Sequence, residues 1–466
     1  MAHVPLPGTE LSDPEDLAGA IPEPVHDLLR TLWGEGHAAY VVGGALRDAL
    51  LGRTTSNWDL ATAALPDQTA ALFEDAAYEN RFGTVVLRRG GHDYEITTFR
   101  TDHDYADFRR PHRVEFGSSL EADLARRDFT MNALAWGAPD EASAPRLVDP
   151  HEGRADIVAG VIRAVGEPDR RFEEDALRML RAVRFAATLE FRIEPATLAA
   201  IRRQAPLVAH LSGERIAVEL GRILAVSQPS RGLRFLAETG ILEPISPELA
   251  AERGIPQNKI PGEDLWDHTL RTVDAAANRP VVRLAALVHD VGKPATAADG
   301  HFYHHDTVGA DLAEQFLDRL HLPRTTAERV VHLVRQHMFR YEANWGDAAV
   351  RRFLAKIGPD AIEDLFALRE ADNEGSGVPR DAEALGELRA RIAAELAAGP
   401  ILDRSALAVD GSDLMTELGV PAGPALGRIL AALFERVVEE PRLNDRPTLM
   451  LLARDLAERS AAEPGR

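Results

Sequence analysis

The sequence predicts an α+β chain, with a small head built on a mixed sheet followed by a long all-helical body. Two patterns and their point of change support this. Between Val25 and Trp136, short β-rich apolar runs (Ala38–Val42, Thr84–Arg88, Tyr94–Phe99) alternate with helical ones (Ala45–Leu51, Pro66–Glu74). Beyond about residue 150 amphipathic helical spacing takes over, as in Glu173–Leu189, Pro195–Ala205, Glu214–Ala225 and Leu233–Thr239. Breaks fall at Pro256–Gly262, Gly375–Pro379 and Gly399–Pro400. The expected division is a loose Pro- and Gly-rich tail over 1–20, a head over 21–150, a helical neck over 151–250, a helical domain over 251–400 and a C-terminal helical body and tail over 401–466. No fixed-period repeat is visible.

Bulk properties narrow the function classes. The 466 residues allow two to four domains, and 45% apolar residues is ordinary for a globular chain. The absence of cysteine excludes disulfides, thiolate zinc sites and cysteine nucleophiles, and fits a reducing cytoplasm. No run of 18 apolar residues and no signal-peptide pattern stands in the sequence, so no membrane role is expected. A net charge of −21 argues against bulk attraction to nucleic acid, but local patches decide phosphate binding. Lysine occurs only at 259, 293 and 356, leaving arginine as the main cation. Arginine suits bidentate phosphate contacts, although arginine-rich codon usage explains the same skew.

The head carries the most specific chemistry. Gly43-Gly44 ends a strand and opens a helix, and glycine lets backbone N–H groups approach a phosphate. Arg47 follows one turn into that helix. Asn57 and Asp59 stand two residues apart on an expected strand, so their side chains share a face. Two carboxylates so placed grip two Mg²⁺ ions about 4 Å apart, the arrangement for in-line phosphoryl displacement. Glu95, on another strand, supplies a further acid.

In order and spacing, these segments resemble the class II CCA-adding enzymes and bacterial poly(A) polymerases, tRNA nucleotidyltransferases with a polymerase-β-type head. The matching stretches are Val42–Asp48, Asn57–Thr62, Glu95–Arg100, Asp123–Ala133, Asp149–Gly153, Arg171–Arg181 and Ser212–Ile216. The resemblance implies that Arg126, Arg127, Asp128 and Asn132 handle the ribose and triphosphate. It implies that Asp175 and Arg178, three residues apart and expected on one helix face, present a template to the base edge of CTP or ATP. Gly43, Gly44, Arg47 and Arg181 would hold phosphates. The stretch Thr101–His112 resembles the flexible loop of members that add A, which argues against a CC-only enzyme. Val409–Asn444 resembles the family's C-terminal region.

Asn57 departs from the family pattern, which has aspartate there. An amide oxygen brings no charge to Mg²⁺, a hard cation that favours carboxylates. The change is compatible with an engineered residue, with a natural site in which Asp59 and Glu95 suffice, or with a weakened relative in another role.

A second constellation comprises His268, His289-Asp290, His305, His337 and Asp372, with Lys293 nearby. Imidazole and carboxylate ligands suit Ni, Mn, Co or Fe. The set resembles an HD phosphohydrolase domain, and His301, His304, His321 and His332 stand as alternatives to one of its ligands. The expected activity is template-independent addition of the tRNA 3′-terminal CCA from CTP and ATP. Poly(A) or A-only addition, and an HD metal phosphohydrolase with an impaired head, are the rivals.

Overall fold

The computed structural model describes residues 17–78, 83–105, 111–117, 119–257, 259–377, 382–399 and 403–462. The chain divides into two compact units, one formed mainly by residues 1–250 and the other mainly by 251–466.

In the first unit the strands run β1 (Ala39–Val42), β2 (Asp59–Thr62), β3 (Ala76–Tyr78), β4 (Thr84–Arg89), β5 (His92–Thr98), β6 (Arg100–Tyr105), β7 (Pro111–Phe116), β8 (Ala135–Ala138) and β9 (Arg146–Val148). Seven of them form a sheet ordered β3-β4-β5-β2-β1-β8-β9. It is mixed, because β2 runs parallel to β5 while its other pairings are antiparallel. The β1 residues Ala-Tyr-Val-Val are all buried, as expected for a central strand covered on both faces. Tyr40 and Val42 pack with Ala61, Phe99, Leu120, Leu124 and Ala135 on one of those faces. Register places Asp59 beside Val42 on one side and Glu95 on the other.

Three expectations change here. The stretch read as a loop over Thr101–His112 is in its described part the β6–β7 hairpin, and residues 106–110 lie outside the described residues. The helix expected over Glu173–Leu189 is two helices, Pro168–Glu174 and Leu177–Thr188. Asp175 breaks them with extended backbone (φ −150°, ψ 104°), and its Oδ1 accepts the N–H of Leu177 at 3.0 Å. An aspartate that offers the backbone a local acceptor competes with the helix in this way. Asp175 and Arg178 therefore do not share one helix.

Among the described residues the second unit is largely rather than wholly helical, with a small hairpin pairing Ala297–Ala298 with His301–Phe302. Helices Leu265–Ala275, Pro280–Val288, His305–Arg319, Arg324–Gln336 and Ile362–Gly375 hold the polar cluster described below. Further on, Leu414, Leu433, Val437, Leu449 and Ala453 form a separate apolar core. Among the described residues, no helix is long and apolar enough to cross a membrane.

Candidate active site and metal centre

Gly43 follows β1 at φ 78°, in the left-handed region that favours glycine. A Cβ there would lie 3.3 Å from Arg127 Nη1 and 3.5 Å from Asp59 Oδ2. The turn thus brings a cation and a carboxylate together over bare backbone.

Asp59 is the first residue of β2 and is half-buried. Burial, and then the charge of Glu95 on the neighbouring strand, push its carboxyl up to about 6 against the pull of Arg127 and Arg181. Asn57 lies before the strand rather than on it and is exposed, but its Nδ2 still reaches Asp59 Oδ1 at 3.4 Å. The strand-face argument for Asn57 therefore does not apply, although its proximity to Asp59 stands.

A polar chain fixes the cations around this turn. Buried Arg47 donates to Asn132 Oδ1 at 2.7 Å and to Asp48 Oδ1 at 2.8 Å. Asn132 Nδ2 donates to Asp128 Oδ1 at 3.1 Å, and Arg181 Nε donates to Asp128 Oδ2 at 2.7 Å. Burial opposes the charge on Asp128, but Arg181, the Asn132 amide and the Phe129 N–H outweigh it and hold the carboxyl at about 2. Phe185, which the sequence did not single out, lies 5.0 Å from Arg47, 5.4 Å from Arg181 and 3.9 Å from Arg184, ring centroid to guanidinium carbon.

Arg126 is drawn to the buried Asp123 at 2.7 Å, whereas Arg127 divides between Asp123 and the turn. Arg178 is buried, donating to Glu174 Oε2 at 2.8 Å, to the Arg171 carbonyl at 3.0 Å and to the Arg126 carbonyl at 2.9 Å. That last bond ties it to the segment carrying Arg127. Asp175 Oδ2 accepts from Arg215 at 2.7 Å, and its charge is felt at Arg181. Arg215 is thus a positioning partner that sequence spacing did not reveal, because it comes from a separate helix, whereas Glu174 stands only four residues before Arg178.

The second cluster is assembled from five helices or helix ends. Asp264 starts one of them by accepting the Asp267 N–H at 2.9 Å, which places His268 in its first turns. Gly292 lets the His289-Asp290 turn lie against the next helix, since a Cβ there would collide with the His305 carbonyl and Gly309 backbone. The ligand-type atoms form two triads, His268–His289–Asp372 and Asp290–His305–His337. Asp290 links them, with Oδ2 3.2 Å from His289 Nε2 and Oδ1 3.4 Å from His305 Nε2. Among the described residues, His301, His304, His321 and His332 belong to neither triad.

These residues fit a cation. The Nδ1 atoms of His289, His305 and His337 face the carbonyls of Ala286, Phe302 and Val334 at 2.9, 2.7 and 2.6 Å. Donation there turns each Nε2 inward. The Nε2 atoms of His305 and His337 are buried without a hydrogen-bond partner, aimed at a carboxylate. Lone pairs facing a carboxylate repel unless a positive charge lies between them. Burial disfavours a charged His289, yet Asp290 and Asp372 lift it to about 10. Lys293 Nζ lies 2.5 Å from Asp290, and Lys259 Nζ 3.6 Å from Asp372. Both lysines line a cavity of about 930 Å³ beside the triads. Sequence reasoning noted Lys293 but missed Lys259 and the buried Glu252, whose carboxyl burial raises to about 8.

The strand–diglycine–helix turn with carboxylates on adjacent strands defines a nucleotidyltransferase head. Family comparison agrees, with residues 39–163 matching the poly A polymerase head domain. Residues 190–253 match a probable RNA and SrmB-binding site of polymerase A, and residues 302–453 a putative tRNA nucleotidyltransferase domain 2. The CCA-adding enzyme of Geobacillus stearothermophilus is 34% identical over 90% of this chain and 93% of its own length. That of Lactiplantibacillus plantarum is 33% identical over 92% and 95%. The crystal structure of the Bacillus stearothermophilus CCA-adding enzyme in complex with CTP superposes with a TM-score of 0.68 at 31% identity, covering 97% of this chain and all of that one. The chain belongs to the family of CCA-adding enzymes.

Proposed function

We propose that this protein adds or repairs the 3′-terminal CCA of tRNA from CTP and ATP, without a nucleic-acid template. The observation that carries the reading is the convergence of Asp59 and Arg127 on the Gly43 turn, with Glu95 beside Asp59 on the neighbouring strand. Asp59 and Glu95, with the Asn57 amide, would hold Mg²⁺, which supplies charge neutralisation on the triphosphate when bound. Gly43 and Gly44 give backbone room for phosphates, and Arg47, Arg127 and Arg181 bind them. Asp128 and Asn132 orient Arg181 and Arg47 and offer groups to the ribose. Asp175 and Arg178 present the base-reading edge, held in place by Arg215 and Glu174. Arg126 acts through Asp123, steadying the segment that carries Arg127. The RNA 3′-hydroxyl attacks the α-phosphate, a new O–P bond replaces the bond to the β-phosphate, and pyrophosphate leaves. The lack of cysteine fits work in the cytoplasm.

The test uses tRNA lacking its terminal CCA, incubated with CTP, ATP or both. Two C residues from CTP alone, and CCA from both, support the reading. A run of A residues from ATP with no use of CTP favours poly(A) or A-only addition instead.

The paired triads support a second activity in the same chain, metal-dependent phosphohydrolysis at an HD-type centre. His268, His289, Asp290, His305, His337 and Asp372 would hold one or two Ni, Mn, Co or Fe ions, which supply Lewis acidity when bound. Lys259 and Lys293 would bind the phosphate. Opening of a 2′,3′-cyclic phosphate, or release of phosphate from a 3′-phosphate, at an RNA end in the presence of Mn²⁺ or Ni²⁺ tests it; neither reaction with either metal contradicts it.

A further inference from the structure

Next to the metal centre the second unit contains a smaller cavity, of about 390 Å³. Its position follows from the chain itself. Asp306 directly follows His305, while Gln336 and Met338 flank His337, and all three line the cavity. Met338, 51% exposed, also lines the larger cavity that contains Asp290, Lys259 and Lys293. One side chain is thus shared between the metal-facing cavity and this one.

The walls combine flat rings and cations. Phe339, Trp345 and Phe353 form an aromatic side, with Phe339 5.2 Å and Trp345 5.8 Å from Phe353 between ring centroids. Tyr341 braces Trp345 edge-on at 5.4 Å. Trp345 is half-buried, so its ring is held and still has a free surface. Arg335, Arg340, Arg352 and Lys356 surround these rings, with Asp306 as the one acid in the lining. Arg335 pairs with Asp311, Arg340 with Glu342 and Arg352 with Glu439, all at exposed positions. Exposed ion pairs of this kind contribute little and exchange readily for a phosphate. Lys356 is exposed and has no ion-pair partner among the described residues.

Aromatic rings interleaved with cations are the means by which proteins hold single-stranded nucleic acid, stacking bases and neutralising the backbone. The cavity size lies within the about 300–1,000 Å³ range of small-ligand pockets. An acidic peptide would match the charge but leave the indole face without a flat partner. We propose that this cavity is a nucleotide subsite for single-stranded RNA, with a base stacked on Trp345, backbone phosphates met by Arg340, Arg352 and Lys356, and the strand continuing past Met338 towards the metal centre. Its purpose rests on the phosphohydrolase reading above, for which it supplies the substrate class: the phosphorylated end of an RNA strand rather than a small phosphate ester.

Fluorescence anisotropy of a short labelled single-stranded RNA bearing a 3′-phosphate, on the full-length protein, tests it. Trp345→Ala should weaken binding about tenfold, the order of one lost base stack, while Trp345→Phe retains most of the affinity. Lys356→Ala should also weaken binding and lower the salt dependence by about 0.7 in log–log slope, one phosphate's worth on a single strand. Thermal melting checks that each variant is folded. Affinity unchanged in both Trp345→Ala and Lys356→Ala would overturn the proposal, as would an acidic peptide binding where the RNA does not. Because anisotropy reads binding and not turnover, failure here is distinct from failure of the phosphohydrolase reading.

Discussion

Replacing Asp59 with asparagine should stabilise the metal-free protein while abolishing nucleotide addition. Asp59 is half-buried beside Glu95, and its carboxyl is raised from 3.8 to about 6 by burial first and the neighbouring charge second. The sign follows from linkage. A group whose pKa is higher in the fold than in the unfolded chain contributes stability in its protonated form. That contribution is whole below pH about 4 and is lost as pH rises through about 6. At about 1.4 kcal/mol per pH unit, the ionised Asp59 costs the metal-free fold about 2–3 kcal/mol at neutral pH, the lower figure allowing for the water it retains. Asparagine removes the charge at nearly constant shape. Urea denaturation in chelator should therefore show Asp59→Asn more stable by about 2–3 kcal/mol near pH 7.5, and the gain should vanish near pH 4. Adding Mg²⁺ should raise the wild-type stability and have much less effect on the variant. Equal or lower stability of Asp59→Asn near pH 7.5 would refute the electrostatic account of this site.

Other predictions bear on neighbouring residues. Asn57→Asp adds a charge at a position 3.4 Å from Asp59 and should lower the half-saturating Mg²⁺ concentration for CTP incorporation by about tenfold, read from a Mg²⁺ titration at fixed tRNA; an unchanged titration and rate would count against it. Asp128→Asn should weaken the fold by about 2 kcal/mol at neutral pH, a loss that shrinks as pH falls from about 4 towards 2, because a depressed carboxyl contributes only while ionised. Arg178→Ala should relax the choice of CTP and ATP over GTP and UTP in single-nucleotide incorporation, and Arg178→Lys should not restore it. His337→Ala should lower the metal content per chain, measured by elemental analysis after loading with Mn²⁺, without changing CTP incorporation.

How much was legible in the sequence depended on whether a signal was local. Gly43, Asp59 and Glu95 could be read because each sits at a strand end or strand position with a short motif around it, and the β2–β5 register then places Asp59 and Glu95 side by side. The six imidazole and carboxylate positions of the second unit were legible for a similar reason, as residue types with few uses in such density. Spacing alone puts Asn57 on a strand, because it cannot tell that β2 starts at Asp59. The apolar period runs through Asp175 and so suggests a helix there, while its bond to the Leu177 N–H, which breaks the helix, has no periodic signature. The partnerships of Arg178 with the Arg126 carbonyl, of Asp175 with Arg215, and of Arg47 with Phe185 depend on tertiary packing. Lys259 and Glu252 escaped notice because a single charged residue near a loop carries no pattern until the fold buries it.

The most direct measurement is the length and composition of the product when tRNA lacking CCA meets each nucleotide. Extension by two cytidines with CTP alone, and completion by one adenosine when ATP is also present, is the outcome required if the Gly43 turn, Asp59 and Arg178 form one polymerising centre. Failure to incorporate CTP, or open-ended adenosine tails, would contradict that account.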